Sequence, residues 1–139
     1  MVGVAPRWPR SWAALLGFLG VAAGAFGAHG LRDLVTPEQL NTWETAADYQ
    51  LLHAIALLGL STWQQSALSS RLQSWLLLAC GLMVVGVLLF SGSLYLLVLT
   101  NISAFGPITP LGGVALLMAW SILLGCGLVK GNNASTPPS

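Results

Sequence analysis

Charged side chains are scarce in this sequence. The 139 residues include five Lys or Arg and four Asp or Glu, only 6% of the chain, whereas 55% are hydrophobic. Soluble domains carry about 25% charged residues, so these nine charges could not cover the surface of a soluble fold. The net charge of +1 gives no basis for a nucleic-acid partner. The composition predicts a protein whose solvent is the lipid bilayer.

Cysteine and histidine are equally scarce, with two residues of each. Cys80 and Cys126 lie within apolar segments at a separation that matches no metal-ligand spacing, so we expect them to be structural. His29 and His53 make an unconvincing pair of haem ligands, because their expected depths differ and no attachment motif is present. The sequence also lacks a Walker loop, a zinc signature and a dinucleotide fingerprint. We therefore expect no cofactor, no metal and no enzymatic activity.

What the sequence does contain is long apolar runs. A helix needs roughly 20 largely apolar residues to cross a hydrocarbon core about 30 Å thick. The chain has room for four such segments with short loops in one membrane domain, residues 11–130. It predicts an all-α, four-transmembrane-helix bundle with spans at about 11–30, 46–64, 75–100 and 111–129.

Basic residues predict the orientation of these spans, since Lys and Arg are enriched in cytoplasmic loops. Only Arg32 falls on the opposite side from the other four basic residues. Both termini are therefore predicted to be cytoplasmic, with 1–10 a short N-terminal segment and 131–139 a disordered tail. The four residues on the predicted cytoplasmic side are Arg7, Arg10, Arg71 and Lys130.

Small residues recur at three-, four- and seven-residue spacing on the predicted helices. Such spacing makes a flat helix face against which a neighbouring helix can approach closely. The arginines before the first apolar segment, 11–30, raise the alternative of a cleaved secretory signal. The small-residue spacing in this segment favours a retained span instead. The predicted helix-packing residues are Gly17, Gly20, Gly24, Gly27, Gly86, Gly112, Ala115 and Ala119.

Two helix starts are predicted from capping patterns. Thr36 can cap a helix, Pro37 suits its first position, and Gln39 stands where the partner of a capping box belongs. Thr109 and Pro110 repeat the order of a cap followed by proline, which predicts a helix from Leu111 onward.

Polar side chains gather at one depth. If the outer membrane boundary lies near Ala46 and Thr100, then His53 and Ser93 each lie seven residues, or about 10 Å, below it. The inner half carries almost nothing polar except Cys80 and the loop residues. Polar groups in lipid are costly unless they find partners, so we predict a buried cluster in the outer half. Its predicted members are Tyr49, Gln50, His53, Ser91, Ser93 and Tyr95.

Two interpretations of His53 remain open at this point. A neutral imidazole hydrogen-bonded to Tyr95 or to a serine would hold helices together as a structural latch. Alternatively, the imidazole could carry protons or bind a ligand, because it titrates near neutral pH. The favoured interpretation is the latch.

Four segments, taken in order, resemble the transmembrane protein 256 family, also known as domain of unknown function 423. They are GAFGAHGL (24–31), YQLLHAIALL (49–58), FSGSLYLLVL (90–99) and PITPLGG (107–113). The resemblance extends over about 13–129. It implies a small multi-pass membrane protein, in bacteria an inner-membrane one, whose first span is retained. It implies no particular activity.

The expected function is therefore a non-enzymatic one, exerted in the lipid bilayer by helix–helix association with other membrane proteins or with a second copy. A different class remains as an alternative, namely a carrier or channel for protons or a small solute, with His53 lining the path. A cofactor-binding subunit of a membrane enzyme is a third. The expected location is a bacterial inner membrane, or an organelle membrane if the source is eukaryotic.

Overall fold

A computed structural model describes residues 6–66 and 69–128 of the chain. Within these residues all of the regular secondary structure is helical and there is no strand, which confirms the predicted all-α class. A five-residue π-helix, Gly27–Leu31, extends the first helix, and a short 3-10 helix, Ser103–Phe105, precedes the fourth. The predicted tail, 131–139, lies outside the described residues. The four long helices are α1 (Trp8–Phe26), α2 (Pro37–Gln65), α3 (Ser70–Thr100) and α4 (Ile108–Leu128).

Three helical stretches are long and apolar enough to cross a membrane. They are Trp8–Leu31, Ser70–Thr100 and Ser103–Leu128. Helix α2 has 29 residues, which is sufficient length, but it does not reach the same hydropathy. The reason is that Asp48 and the site residues Gln50 and His53 lie among its apolar residues. The chain is thus a multi-pass membrane protein in which the second helix is the polar one.

Each helix packs on its neighbour in the sequence. Helix α2 lies antiparallel to α1, with Gly17 opposite Ala54 and Gly27 opposite Trp43. Helix α4 packs along α3, and in the described part of the chain none of its Cα atoms comes within 8 Å of α1 or α2. The helices therefore do not close into a ring: α2 lies between α1 and α3, and α4 flanks α3.

The core is apolar and continuous along α2 and α3, where Leu57, Leu76 and Ala79 are completely buried. Large apolar side chains also cover much of the outside. Phe18, Ile55 and Leu117 are among the most exposed, at 73%, 71% and 69%. Large apolar patches on the outside of a protein mark surfaces that contact a membrane or another protein. The exposed surface therefore agrees with the membrane location that the composition predicts.

The charged residues divide between the two ends of the helices. All four acidic residues lie at one end, in the α1–α2 connection and the first half of α2; we call this the acidic end. The basic end is the opposite one, where α1 and α3 begin. The acidic end carries Asp33, Glu38, Glu44 and Asp48, together with Arg32; the basic end carries Arg7, Arg10 and Arg71.

The capping prediction is confirmed for α2 and wrong for α4. The backbone N–H of Gln39 donates to Thr36 Oγ1 (3.2 Å), and the N–H of Thr36 donates to Gln39 Oε1 (3.0 Å), which completes a capping box. Helix α4, by contrast, begins at Ile108. The preceding 3-10 turn leads directly into it, because the N–H of Thr109 already donates to the carbonyl of Gly106 (3.2 Å). Thr109 is therefore a first-turn residue with its hydroxyl free for another role.

The π-helix at Gly27–Leu31 has no counterpart in the sequence prediction. It begins where the Trp43 side chain of α2 meets α1: the indole Nε1 donates to the carbonyl of Ala23 (2.7 Å). A Cβ atom on Gly27 would lie 2.7 Å from Trp43 Cδ1. An indole that inserts at a helix end and takes one of its carbonyls permits the wider π turn there. The GAFGAHGL motif thus forms this junction of α1 with α2.

Candidate functional site

The side chain of Gln50 joins three helices. It lies on α2, is only 5% exposed, and donates from Nε2 to the backbone carbonyl of Leu16 in α1 (2.8 Å). Its Oε1 accepts a hydrogen bond from the Tyr95 hydroxyl of α3 (2.9 Å). Both ends of the amide are therefore satisfied inside the protein. The structure brings together Gln50 and Tyr95, two members of the predicted cluster.

His53 is 3% exposed and both of its ring nitrogens have partners. Nδ1 lies 2.7 Å from the backbone carbonyl of Tyr49, and Nε2 accepts a hydrogen bond from Trp120 Nε1 (3.2 Å). A carbonyl only accepts and an indole N–H only donates. The imidazole that satisfies both is neutral, with its hydrogen on Nδ1. His53 therefore links α2 to α4, although the backbones of these helices do not approach each other.

The expectation that Tyr95 or a serine would be the partner of His53 is wrong. The partner is Trp120, which the sequence prediction missed. The sequence does carry a signal for this partner. Trp120 lies within an apolar span, where an indole N–H usually finds an acceptor. Tyr95 is unavailable because its hydroxyl is already bonded to Gln50.

Tyr49 does not belong to a buried cluster, contrary to the prediction. Its side chain is 42% exposed and stacks on Phe90 of α3, with ring centroids 4.4 Å apart. The His53 ring lies next to it, at a centroid separation of 5.9 Å. Tyr49 is one residue before Gln50, and a step of one residue turns a side chain by about 100° around the helix. With Gln50 facing the core, Tyr49 therefore lies at the edge of the buried face and is partly exposed.

The two serines of α3 are both buried but differ in their partners. Ser93 Oγ donates to the carbonyl of Phe90 (3.0 Å) and lies 2.7 Å from Thr109 Oγ1, so that it joins α3 to α4. Ser91 Oγ has no hydrogen-bond partner among the described residues. The predicted single cluster is thus a set of separate links between helices, with Ser91 and Tyr49 outside them.

The predicted packing glycines fall into two groups. At Gly112 a Cβ atom would lie 2.7 Å from Phe90 Cα, and at Gly86 it would lie 2.6 Å from Leu116 Cδ2, so α3 and α4 need both glycines. Gly20 and Gly27 are equally tight, against Leu51 and Trp43 of α2. By contrast, Gly17 has room for a Cβ atom at 3.9 Å from Ala54, and Gly24 has no neighbour within 4 Å of that position.

Gly24 is therefore not a packing contact among the described residues, although α1 and α2 do touch beside it, at Gly20 and Gly27. The two alanines of α4 also differ, since Ala119 is completely buried whereas Ala115 is half-buried.

Two buried polar residues in the basic half were not predicted. Ser61 and Gln64 are 2% and 1% exposed. Ser61 adds a buried polar group to a half expected to hold almost none, and Gln64, expected among the loop residues, lies in the last turn of α2. Ser61 donates to the carbonyl of Leu58 (2.6 Å), but the amide atoms of Gln64 have no partner among the described residues. Helical periodicity is the signal that finds Gln64, because it continues the buried positions of Gln50, Leu57 and Ser61.

No metal site is formed by the part of the chain that the structure describes, since no three His, Cys, Asp or Glu side chains converge there. The chemistry of the site is instead that of hydrogen bonds between helices. Such bonds contribute about 0.6 kcal/mol each on average in a membrane, and they determine which helices pair and in which register.

These links join three of the four sequence motifs. Gln50 of the second motif is bonded to Tyr95 of the third, and Ser93 of the third is bonded to Thr109 of the fourth. The first motif forms the π-helix that contacts Trp43. Fold and site together define a multi-pass helical membrane protein whose motif residues fasten its helices to one another near the acidic end.

Comparison with known proteins then identifies the family. Residues 23–113 match the family described as protein of unknown function (DUF423). The chain is 40% identical over 112 residues to a UPF0382 membrane protein of Staphylococcus aureus. The aligned region covers 80% of this chain and 87% of the relative. It is 37% identical over 118 residues to the UPF0382 inner membrane protein YgdD of Escherichia coli, covering 85% and 87% respectively. No solved structure matches.

The chain therefore belongs to the DUF423 family. This confirms the resemblance to domain of unknown function 423 and the predicted membrane location.

Proposed function

We propose that this protein crosses the inner membrane four times, with both termini in the cytoplasm, and acts without catalysis by associating through its helices with other membrane proteins or with a second copy. The observation that carries the proposal is an open groove between α1 and α2. It is apolar, has a volume of about 270 Å³, and is lined by Ala13, Ala14, Gly17, Leu51, Ala54, Ile55 and Leu58.

The polar groups support a structural role. Gln50, His53 and Ser93 each bond to a neighbouring helix, so none of them is left free to act on a substrate. Small residues on a helix face permit close approach of a second helix, and here the α1–α2 groove presents such a face to the lipid. Glycines elsewhere, such as Gly86 and Gly112, already have a helix against them. The groove is therefore a surface with small residues that remains open to a further helix.

The packing order supports a fourth span. Helices α1 and α3 both have the length and hydropathy to cross the membrane, and α2 lies between them. Because α1 ends at the acidic end and α3 begins at the basic end, the chain must return across the bilayer through α2. The polar residues of α2 are tolerable there because Gln50 and His53 are buried against the neighbouring helices.

Filling the groove tests the association. The variant Ala14→Leu adds bulk inside the groove, and Ala22→Leu adds the same bulk at another exposed position of α1 that does not line it. Each variant is purified in mild detergent from its native membranes, followed by mass spectrometry and sizing. We expect Ala14→Leu to lose the associated protein or the homo-oligomer and Ala22→Leu to keep it. Equal association of both variants would reject the groove as the interface.

Reporter fusions test the topology. We expect fusions at residues 35 and 135 to report opposite sides of the membrane, with 135 cytoplasmic. Matching signals would contradict four spans, and opposite signals with 35 cytoplasmic would invert the orientation.

The carrier remains the second candidate, and the burial of an ionisable imidazole at His53 is the observation that favours it. It predicts flux of protons or of a small solute in liposomes that His53→Ala abolishes. Association without transport predicts no flux over a broad panel of solutes for either the wild-type protein or the variant.

A further inference from the structure

The basic end of the protein has an unbalanced charge. Arg7, Arg10 and Arg71 are all exposed there, and no acidic residue accompanies them among the described residues. Arg7 and Arg10 lie at the start of α1 and Arg71 at the start of α3. Both helices run antiparallel to α2, so the three guanidinium groups lie at one end of the molecule. The acidic end carries four carboxylates and a single arginine, which makes the two ends opposite in charge.

Tryptophan is concentrated at the same end. Four of the six tryptophans lie within the first two or last two turns of the helices that meet there. Tryptophan prefers the membrane–water interface, because its indole is largely apolar and carries one hydrogen-bond donor. These side chains therefore mark the depth of the lipid headgroups. The four residues are Trp8, Trp12, Trp63 and Trp75, and all of them are at least partly exposed.

These two observations specify the occupant of this surface. The tryptophans place the arginines at the level of the lipid phosphates, where a guanidinium can bond two phosphate oxygens at once. The complementary charge is therefore already present in the bilayer, as the anionic headgroup of a neighbouring lipid. An acidic protein segment would have to reach the same groups from the water, past the headgroup layer.

We propose that the basic end, formed by Arg7, Arg10 and Arg71 within a belt of tryptophans, is a binding surface for anionic glycerophospholipids. At this end the phosphates of the lipid headgroups supply the negative charge opposite each arginine that carboxylates supply elsewhere. The proposal is independent of the association through the α1–α2 groove, because the two surfaces share no residue.

Native mass spectrometry of the detergent-purified protein tests this directly. The probes are phosphatidylglycerol and phosphatidylcholine of identical acyl chains, added at equal concentration. We expect more phosphatidylglycerol to be retained by the wild-type protein. Each Arg→Gln change at positions 7, 10 and 71 should reduce that preference about fivefold at low salt, since one arginine near a charged membrane contributes about 1 kcal/mol. The preference should also fall as the ionic strength is raised.

Two controls make the result decisive. Arg32→Gln removes one exposed guanidinium from the acidic end and should leave the preference unchanged. A triple Arg→Lys variant keeps the charge and should retain most of the preference, with unchanged helix content by circular dichroism. The proposal is overturned if the triple Arg→Gln variant retains the full preference, or if Arg32→Gln loses as much. Binding of an acidic protein, lost in the triple Gln variant while lipid preference stays constant, would assign the surface to that protein instead.

Discussion

Adding a single methyl group at Gly112 provides a sharp test of the contact between α3 and α4. A Cβ atom there would lie 2.7 Å from Phe90 Cα and 2.8 Å from the backbone oxygen of Gly86. Real Cβ atoms essentially never approach other atoms this closely, and both obstructing atoms belong to the backbone. No side-chain rotation can relieve the clash, so in Gly112→Ala the two helices must separate. The Ser93–Thr109 hydrogen bond (2.7 Å) lies close to this contact.

The neighbouring glycine supplies the control. At Gly113 a Cβ atom would lie 3.9 Å from Phe90 Cδ2, which is an ordinary van der Waals contact. Alanine is favoured over glycine in a helix by about 1 kcal/mol, and both variants gain this term. Overpacking at Gly112 costs about 1–3 kcal/mol in addition. Gly113→Ala should therefore be neutral or more stable than the wild type, and the free energy of unfolding of Gly112→Ala should be lower by about 1–3 kcal/mol than that of Gly113→Ala.

The assay is denaturant titration of the detergent-solubilised protein, followed by tryptophan fluorescence. Helix α4 carries its own probe in Trp120, whose indole bonds to His53 in the folded state. We expect the unfolding midpoint of Gly112→Ala to fall below that of Gly113→Ala and to lie at or below that of the wild type. Coinciding midpoints for the two variants would refute the close approach of α3 and α4 at this glycine.

Three further predictions concern the interhelical links. His53→Ala leaves the Trp120 N–H unpaired and should cost about 1–2 kcal/mol of stability. His53→Gln keeps a side chain that can donate and accept, so it should lower thermal stability by less. Equal losses in thermal unfolding would contradict the latch. Gln50→Leu removes bonds to two helices and should cost about 1 kcal/mol in denaturant titration, and no measurable loss would show that these bonds do not contribute. Gly27→Ala should destabilise the protein because its Cβ atom would meet Trp43, whereas Gly24→Ala should not, and the same loss from both would refute the packing of α1 on α2.

The motif residues now have a physical explanation. Within the segments that resemble the family, Gln50, Tyr95, Ser93 and Thr109 bond helices to one another, and Gly112 lets α4 approach α3. A bilayer offers little hydrophobic drive for helix association, so such bonds and close contacts determine which helices pair. In this chain, residues of these motifs therefore hold the helices together.

Several features could be predicted because they depend on neighbouring residues in the sequence. The capping box of Thr36 and Gln39 is complete within four residues, so its pattern alone predicts where α2 begins. The buried face of α2 agrees with helical periodicity, because Gln50, His53 and Leu57 recur at spacings of three and four residues and are all buried. Tyr49, which we expected in the buried cluster, lies at the edge of that face, and its exposure depends on how closely α3 approaches.

The sequence by itself determined that this protein has lipid as its solvent, that it is helical, and which helix faces carry its polar and small residues. These follow from composition and periodicity, which act over one or two helical turns. Only the tertiary structure decided the partners. His53 bonds Trp120, 67 positions further along the chain. A Cβ atom on Gly24 would meet none of the described residues within 4 Å, whereas Gly20 is packed tightly. The rotation of each helix about its axis and the choice of its neighbour depend on packing along the whole length of the helix. A pattern that spans one or two turns therefore cannot predict them.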